Sequence, residues 1–305
     1  MKNSVCVKVL IIALVFLIGN VNAQVGPTTA WDKEVKVTQG PVDFPGKETH
    51  YSYSTLVYET DKSSVQKMVL AELDSQTADK TKKKALKEGV PIALPAFGGE
   101  EVSVKATAED IKGSAQVKVS VAFFKDSMEI NPTDFPKEDK SAQEVLQNLG
   151  VTLNKAVVSS QIETANKDLE SLQKDFDKLV RDSIKLNESI AKSNEQIMNL
   201  KANNMKQEGK LSKAESEAAS LEVMANSDAA TAKDMKKYSN AKSKATSIES
   251  SMMKNNQKIT GEESDIKEAE MELPMVKKQV EDLAAQIEKQ KELITALQAK
   301  LEAVK

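Results

Sequence analysis

The sequence predicts an α+β head followed by a long all-α antiparallel coiled-coil hairpin. The head reads strand-helix-strand-strand, with one helix on a small, mainly antiparallel sheet. Three observations carry this. Of twelve aromatic residues, nine lie between Trp31 and Phe135, and only Phe176 and Tyr238 follow. Within that aromatic-rich part, apolar residues alternate with period two, as half-buried strands require. Beyond residue 151 they recur at heptad spacing instead.

The first 23 residues combine Lys2 and Lys8 with an apolar run from Val9 to Ile18 and the short residues Val21-Asn22-Ala23. This is the pattern of a cleaved secretory signal, with the cut expected at Ala23/Gln24. The run is too short to cross a bilayer, which takes roughly 20 residues, and no later segment reaches that length. A mature chain without a transmembrane helix is therefore expected, located in the periplasm or at the cell surface. Cys6 is the only cysteine and falls within the signal. Disulfides, thiol chemistry and cysteine-based zinc sites are excluded for the mature chain. Removal of Lys2 and Lys8 leaves 41 basic against 46 acidic residues, a net charge of −5 that argues against nucleic acid as a partner.

The head is expected over 24–130. Its strands are "THYSYSTLVYET" (49–60), "EVSVKATAE" (101–109) and "AQVKVSVAFF" (115–124), the last placing Val117, Val119, Val121 and Phe123 on one face. "EDIKGS" between the second and third reads as a hairpin loop. Between the first and second lies a helix with Ser63 or Ser64 as N-cap, Val65, Met68, Val69 and Leu73 on one stripe, and Gly89 as its stop.

A linker is expected at 131–151. "INPTDFPKEDK" carries two prolines and a charged run, and "SAQEVLQNLG", with Ser141, Glu144 and Gly150, reads as a short capped helix. The hairpin then occupies 152–305, with helices over 152–226 and 232–304 and a turn at 226–232. There "ANSDAATAKD" breaks the heptads and Thr231 and Asp234 have capping-box spacing. Across both helices, 32 of 39 core slots are apolar. Pro274 removes one backbone hydrogen bond at a cost of about 3 kcal/mol, so a kink or short break is expected near it.

An antiparallel hairpin makes facing residues sum to a constant, and a sum of 459 centres the turn. The sum opposes Leu211 with Ile248, Leu200 with Ile259, Leu186 with Leu273, Leu179 with Val280 and Leu172 with Ile287. It also opposes Asn204 with Asn255. These asparagines, in "ANNM" and "KNNQ", then form one polar layer that fixes register.

No catalytic set is visible. His50 is the only histidine and has no cysteine or second histidine to join it. "GPVDFPGKE" (40–48) departs from a phosphate-binding loop in glycine spacing, and Glu48 stands where a magnesium-binding hydroxyl belongs. "KTKKK" (80–84) reads as a solvated helix end, Gly98-Gly99 as a turn, and Glu100-Glu101 as a strand-edge pair. No cofactor or metal is expected.

With strand patterns such as "YSYSTLVYET" and heptads such as "KDLESLQKDFDKL", the architecture resembles uncharacterised exported proteins of Bacteroidetes-type bacteria. It is also similar in plan to periplasmic chaperones of the Skp type, which would imply a holdase role. The residues themselves point to a non-enzymatic envelope protein. Its head would bind a protein partner or envelope component, and its hairpin would serve as spacer, scaffold or oligomerisation arm.

Overall fold

The computed structural model describes residues 28–46, 48–75, 92–227 and 230–305. The expected signal segment, the basic run at 80–84 and the expected helix stop at Gly89 lie outside these residues. In chain order the elements are β1 (Thr38–Phe44), β2 (Glu48–Tyr58), α1 (Lys62–Ser75), β3 (Ile92–Ala93), a 3₁₀ turn (Pro95–Phe97), β4 (Glu101–Asp110), β5 (Gln116–Lys125), β6 (Met128–Glu129), α2 (Pro136–Ala225) and α3 (Ala232–Ala303).

The sheet is antiparallel, ordered β1-β2-β5-β4-β3, with β6 also paired to β5. Its register sets Tyr53, Thr55 and Val57 of β2 beside Val121, Val119 and Val117 of β5. Val104, Ala106 and Ala108 of β4 continue the same face beside Phe123, Val121 and Val119. One core joins this face to Val65, Val69 and Leu73 of α1 and to Leu146, Leu149 and Leu153 of α2. Each such aliphatic side chain, taken fully out of water, contributes roughly 1.5–3 kcal/mol. On the other face Phe44 is buried together with the small side chains of Ser52, Ser54, Ser120 and Ala122, and the Ser54 and Ser120 hydroxyls hydrogen-bond at 2.8 Å.

Several expectations need correction. The segment read only as a failed phosphate loop is β1 and its turn into β2. Pro41 is tolerated there because β1 is an edge strand, where a missing donor breaks no interior ladder. The N-cap of α1 is Asp61, not a serine. Its Oδ1 accepts the Ser64 amide at 3.0 Å and its Oδ2 accepts the Ser64 hydroxyl at 2.7 Å. These hydrogen bonds hold the Asp61 carboxyl below its usual range.

From Pro136 onward the expected linker with a short helix is instead the first part of α2, which runs unbroken through Gly150. Pro136 opens that helix, where its missing amide costs nothing. Gly150 does not stop it, because its role is close packing: an added Cβ would lie 2.7 Å from Val35 Cγ1 and 2.8 Å from Thr55 Oγ1. Likewise α3 passes through Pro274 without a break in the helix.

The chain divides into two units. One comprises the described residues up to Ala165 together with Leu293–Lys305, so both feet of the helices belong with the head. The other is Asn166–Glu292.

In that second unit α2 and α3 pack as an antiparallel hairpin. Thr231 caps α3: its Oγ1 accepts the Asp234 amide at 3.3 Å, and the Asp234 carboxylate accepts from the Thr231 amide and hydroxyl. Leu172, Leu179, Leu186, Leu200, Leu211, Ile248, Leu273 and Val280 are half-buried, while Ile259 and Ile287 are buried. Asn255 Nδ2 donates to Asn204 Oδ1 at 2.8 Å, and Asn204 Nδ2 donates to Asn256 Oδ1 at 2.7 Å. One asparagine of the facing helix thus supplies a donor and its neighbour an acceptor. Gln207 Nε2 donates to Ser251 Oγ at 3.0 Å in the next polar slot.

Candidate functional site

The head carries a cleft of about 450 Å³. Three structures bound it. The outer side of β4 supplies Lys105, Ala106, Thr107 and Ala108; α1 supplies Gln66, Val69, Leu70 and Leu73; the β1–β2 corner supplies Phe44, Pro45 and Glu48. Of the two β4 alanines that line it, Ala108 is buried in the core and Ala106 half-buried.

A cluster of charged side chains sits at its rim. Glu129 Oε2 accepts the Tyr51 amide at 3.0 Å, and its Oε1 lies 2.7 Å from His50 Nδ1. The other ring nitrogen, Nε2, lies 3.2 Å from Lys105 Nζ. Lys105 also donates to Glu48 Oε2 at 2.6 Å, and that oxygen is 3.1 Å from Nε2. The hydrogen bond from Lys105, then that from His50, holds the Glu48 carboxyl below its usual range. Phe44 and Phe124 meet the imidazole edge to face at 5.4 and 5.1 Å between centroids.

Every charge in this cluster faces an opposite or complementary one. The chemistry offered is recognition by an apolar wall with a neutralised rim. The sequence reading missed the cluster because its members come from β2, β4 and β6; His50 and Glu48 had been weighed only separately.

A second missed residue is Lys300. It is 2% exposed, although it lies outside the heptad core slots. Its Nζ donates to Glu59 Oε2 at 2.6 Å and to the Thr28 carbonyl at 2.8 Å, and is 3.4 Å from Gln161 Oε1. Glu59 has a left-handed backbone, φ 56°, and its amide donates to the Ala115 carbonyl. Burial resists ionisation of Glu59, but the bonds from Lys300, Thr28 and Gln161 prevail and its carboxyl lies below the usual range. This buried ion pair ties the foot of α3 to the head.

Buried Tyr53 is a third anchor. Its hydroxyl lies 2.8 Å from Asp139 Oδ1 and 3.2 Å from the Ile130 carbonyl, both acceptors for its proton. Burial first, and the Asp139 carboxylate second, raise its ionisation far above the usual range.

The residues picked out by heptad position, Asn204 and Asn255 above all, meet one another in the hairpin and take no part in the cleft. Among the described residues no group of three or more His, Cys, Asp or Glu side chains can hold a metal ion. No described helix is long and apolar enough to cross a membrane. Compared with known proteins, the chain matches no family model, and no curated relative aligns with it.

Proposed function

We propose that this is a non-enzymatic exported envelope protein whose head binds a protein partner and whose hairpin is a spacer or scaffold arm. The observation that carries the reading is the open cleft between α1 and β4, apolar inside and with its rim charges satisfied by one another. Such a pocket, with few polar groups at its border, is the usual form of a recognition site. The signal-like first 23 residues support export.

A test uses the full chain in a Gram-negative host. Export predicts a mature N-terminus at Gln24 and recovery in the envelope fraction. Cleft recognition predicts that Leu70→Glu, a change on the cleft wall, releases the protein from that fraction while its thermal unfolding stays close to wild type. Retention of the uncleaved chain in the cytoplasm, or envelope association indifferent to Leu70→Glu, overturns the reading.

A second reading, a holdase of the Skp type, is favoured by a separate observation. Among the described residues, seven of the nine exposed large hydrophobics of the hairpin are methionines, among them Met198, Met205 and Met253 at 71%, 72% and 64% exposure. Methionine is flexible and polarisable and suits surfaces that accept varied apolar partners. Protection of a chemically denatured client from aggregation at equimolar ratio, lost in a variant with these three changed to glutamine, would favour the holdase over the spacer.

A further inference from the structure

We infer that the hairpin binds a second copy of this chain through one flank, in the antiparallel sense, as a two-fold dimer held by charge. Every residue involved lies in the hairpin unit, Asn166–Glu292, so the dimer is independent of what the head binds. The basis is the uneven distribution of charge along that flank.

With Asn204 of α2 and Met252 of α3 taken as position a of their heptads, positions c and g of both helices share one flank of the seam and positions b and e the other. The contacts agree. Lys201 and Glu263, both at e, meet at 3.8 Å on one side, and the Gln207–Ser251 hydrogen bond runs from d to g on the other. In the outer half of the hairpin, 192–225 and 235–263, positions c and g carry eight lysines and a single acid, Glu217. In the inner half, 166–191 and 264–292, they carry seven acids and three lysines. The eight lysines are exposed, and none makes a salt bridge among the described residues.

A flank that is basic at one end and acidic at the other is complementary to its own reversed copy. Turned end for end, each copy lays its basic half on the acidic half of the other, whereas in the parallel sense lysine would face lysine. Each helix sets a register. In α3, numbers adding to 526 oppose Lys244 with Asp282, Lys254 with Glu272 and Lys258 with Glu268 across the dimer. In α2, a sum of 388 opposes Lys206 with Asp182 and Lys213 with Asp175. Two like pairs remain, Lys237 with Lys289 and Lys210 with Lys178. The two-fold axis then passes at the level of residue 263 in α3 and of residue 194 in α2. By the seam's own sum of 459, residue 263 faces residue 196. The two helices thus locate one axis independently to within two residues, about 3 Å along the hairpin. Asp182 already holds Lys185 at 3.1 Å, but an exposed pair of that kind is weak and can be shared.

The test is sedimentation of the full chain at micromolar concentration. A dimer is expected at about 0.1 M salt and should weaken at least tenfold at about 1 M, as the screening length falls from roughly 10 to 3 Å. Lys254→Glu with Lys258→Glu, and separately Glu268→Lys with Glu272→Lys, should each stay monomeric, since facing residues then carry like charge. Mixed in equal amounts the two variants should dimerise again, because every altered site meets its opposite. If either does not fold, Lys206→Glu with Lys213→Glu and Asp175→Lys with Asp182→Lys repeat the exchange on α2. In a Cys6→Ser chain, a bifunctional maleimide should link Gln196→Cys to itself between copies and leave Asn240→Cys, far from the axis, unlinked. A monomer at low salt, mixed variants that stay apart, or linking at Asn240, which a parallel dimer would give, overturns the inference. A monomer that instead binds phosphatidylglycerol vesicles would overturn it and assign the lysines to an anionic surface.

Discussion

In the head, Tyr53, Val57, Val119, Val121 and Phe123 are wholly removed from solvent. In the hairpin, the equivalent apolar slots at Leu172, Leu179 and Leu186 remain half-buried. The difference follows from geometry. A sheet face roofed by two helices can be covered from every direction, whereas each residue of a two-helix seam has one facing helix and water on its flanks. The head therefore concentrates its stability in few side chains and tolerates no misfit. The hairpin spreads a smaller gain over many layers and can admit asparagine, glutamine and serine among them.

The largest contrast should come from truncating matched leucines. Leu146→Ala in the head is expected to cost about 3–5 kcal/mol, and Leu179→Ala in the half-buried seam about half as much, since flanking side chains and water fill its gap. Urea unfolding of the two variants measures both, and equal losses would break the comparison.

Next is the buried cation. Lys300→Ala leaves Glu59 without its main counter-charge and should cost on the order of 3 kcal/mol. The pH dependence has a definite sign. The folded carboxyl of Glu59 lies below its ordinary value of 4.5, so its contribution is fully present above that pH and is lost as pH falls through the lowered value. Lys300→Met should raise the folded value and move the acid limb of a melting-temperature profile toward higher pH. An unmoved limb would show that the pair adds nothing.

Glycine to alanine provides a sharper form of the same contrast, because one substitution should change sign between the regions. At Gly150 the new Cβ meets Val35 and Thr55 inside 3 Å, an overpacking expected to cost about 1–3 kcal/mol. At Gly209 or Gly261, where nothing lies within 4 Å, alanine should stabilise the helix by roughly 0.5–1 kcal/mol. Thermal unfolding of Gly150→Ala and Gly209→Ala is the direct comparison.

The smallest effect tests register. Asn204→Cys with Asn255→Cys should form an intrachain disulfide on mild oxidation, with little change in stability before oxidation. Bridges only between chains would show that the seam pairs differently in solution.

Much of this was legible because it is local. Alternation located β2, β4 and β5 to within two residues, and heptads with the Thr231–Asp234 box located the turn and facing helices. Local signals also misled. Gly150 carries the composition of a helix stop, yet what it answers to is Val35, 115 positions earlier in the sequence. Gly40 and Pro41 were weighed only as part of a rejected phosphate-binding loop, and it is the position of β1 at the sheet edge that makes them compatible with a strand.

By itself, then, the sequence determined the two periodicities, the antiparallel pairing of the long helices and the polar layer at Asn204 and Asn255. Each follows from spacing along one element or across one tight turn. The tertiary structure alone decided what lies between elements: Lys300 against Glu59 across 241 residues, His50 against Glu129, and Tyr53 against Asp139. No local pattern encodes these, because they depend on which strand becomes an edge and which helix foot returns to the head.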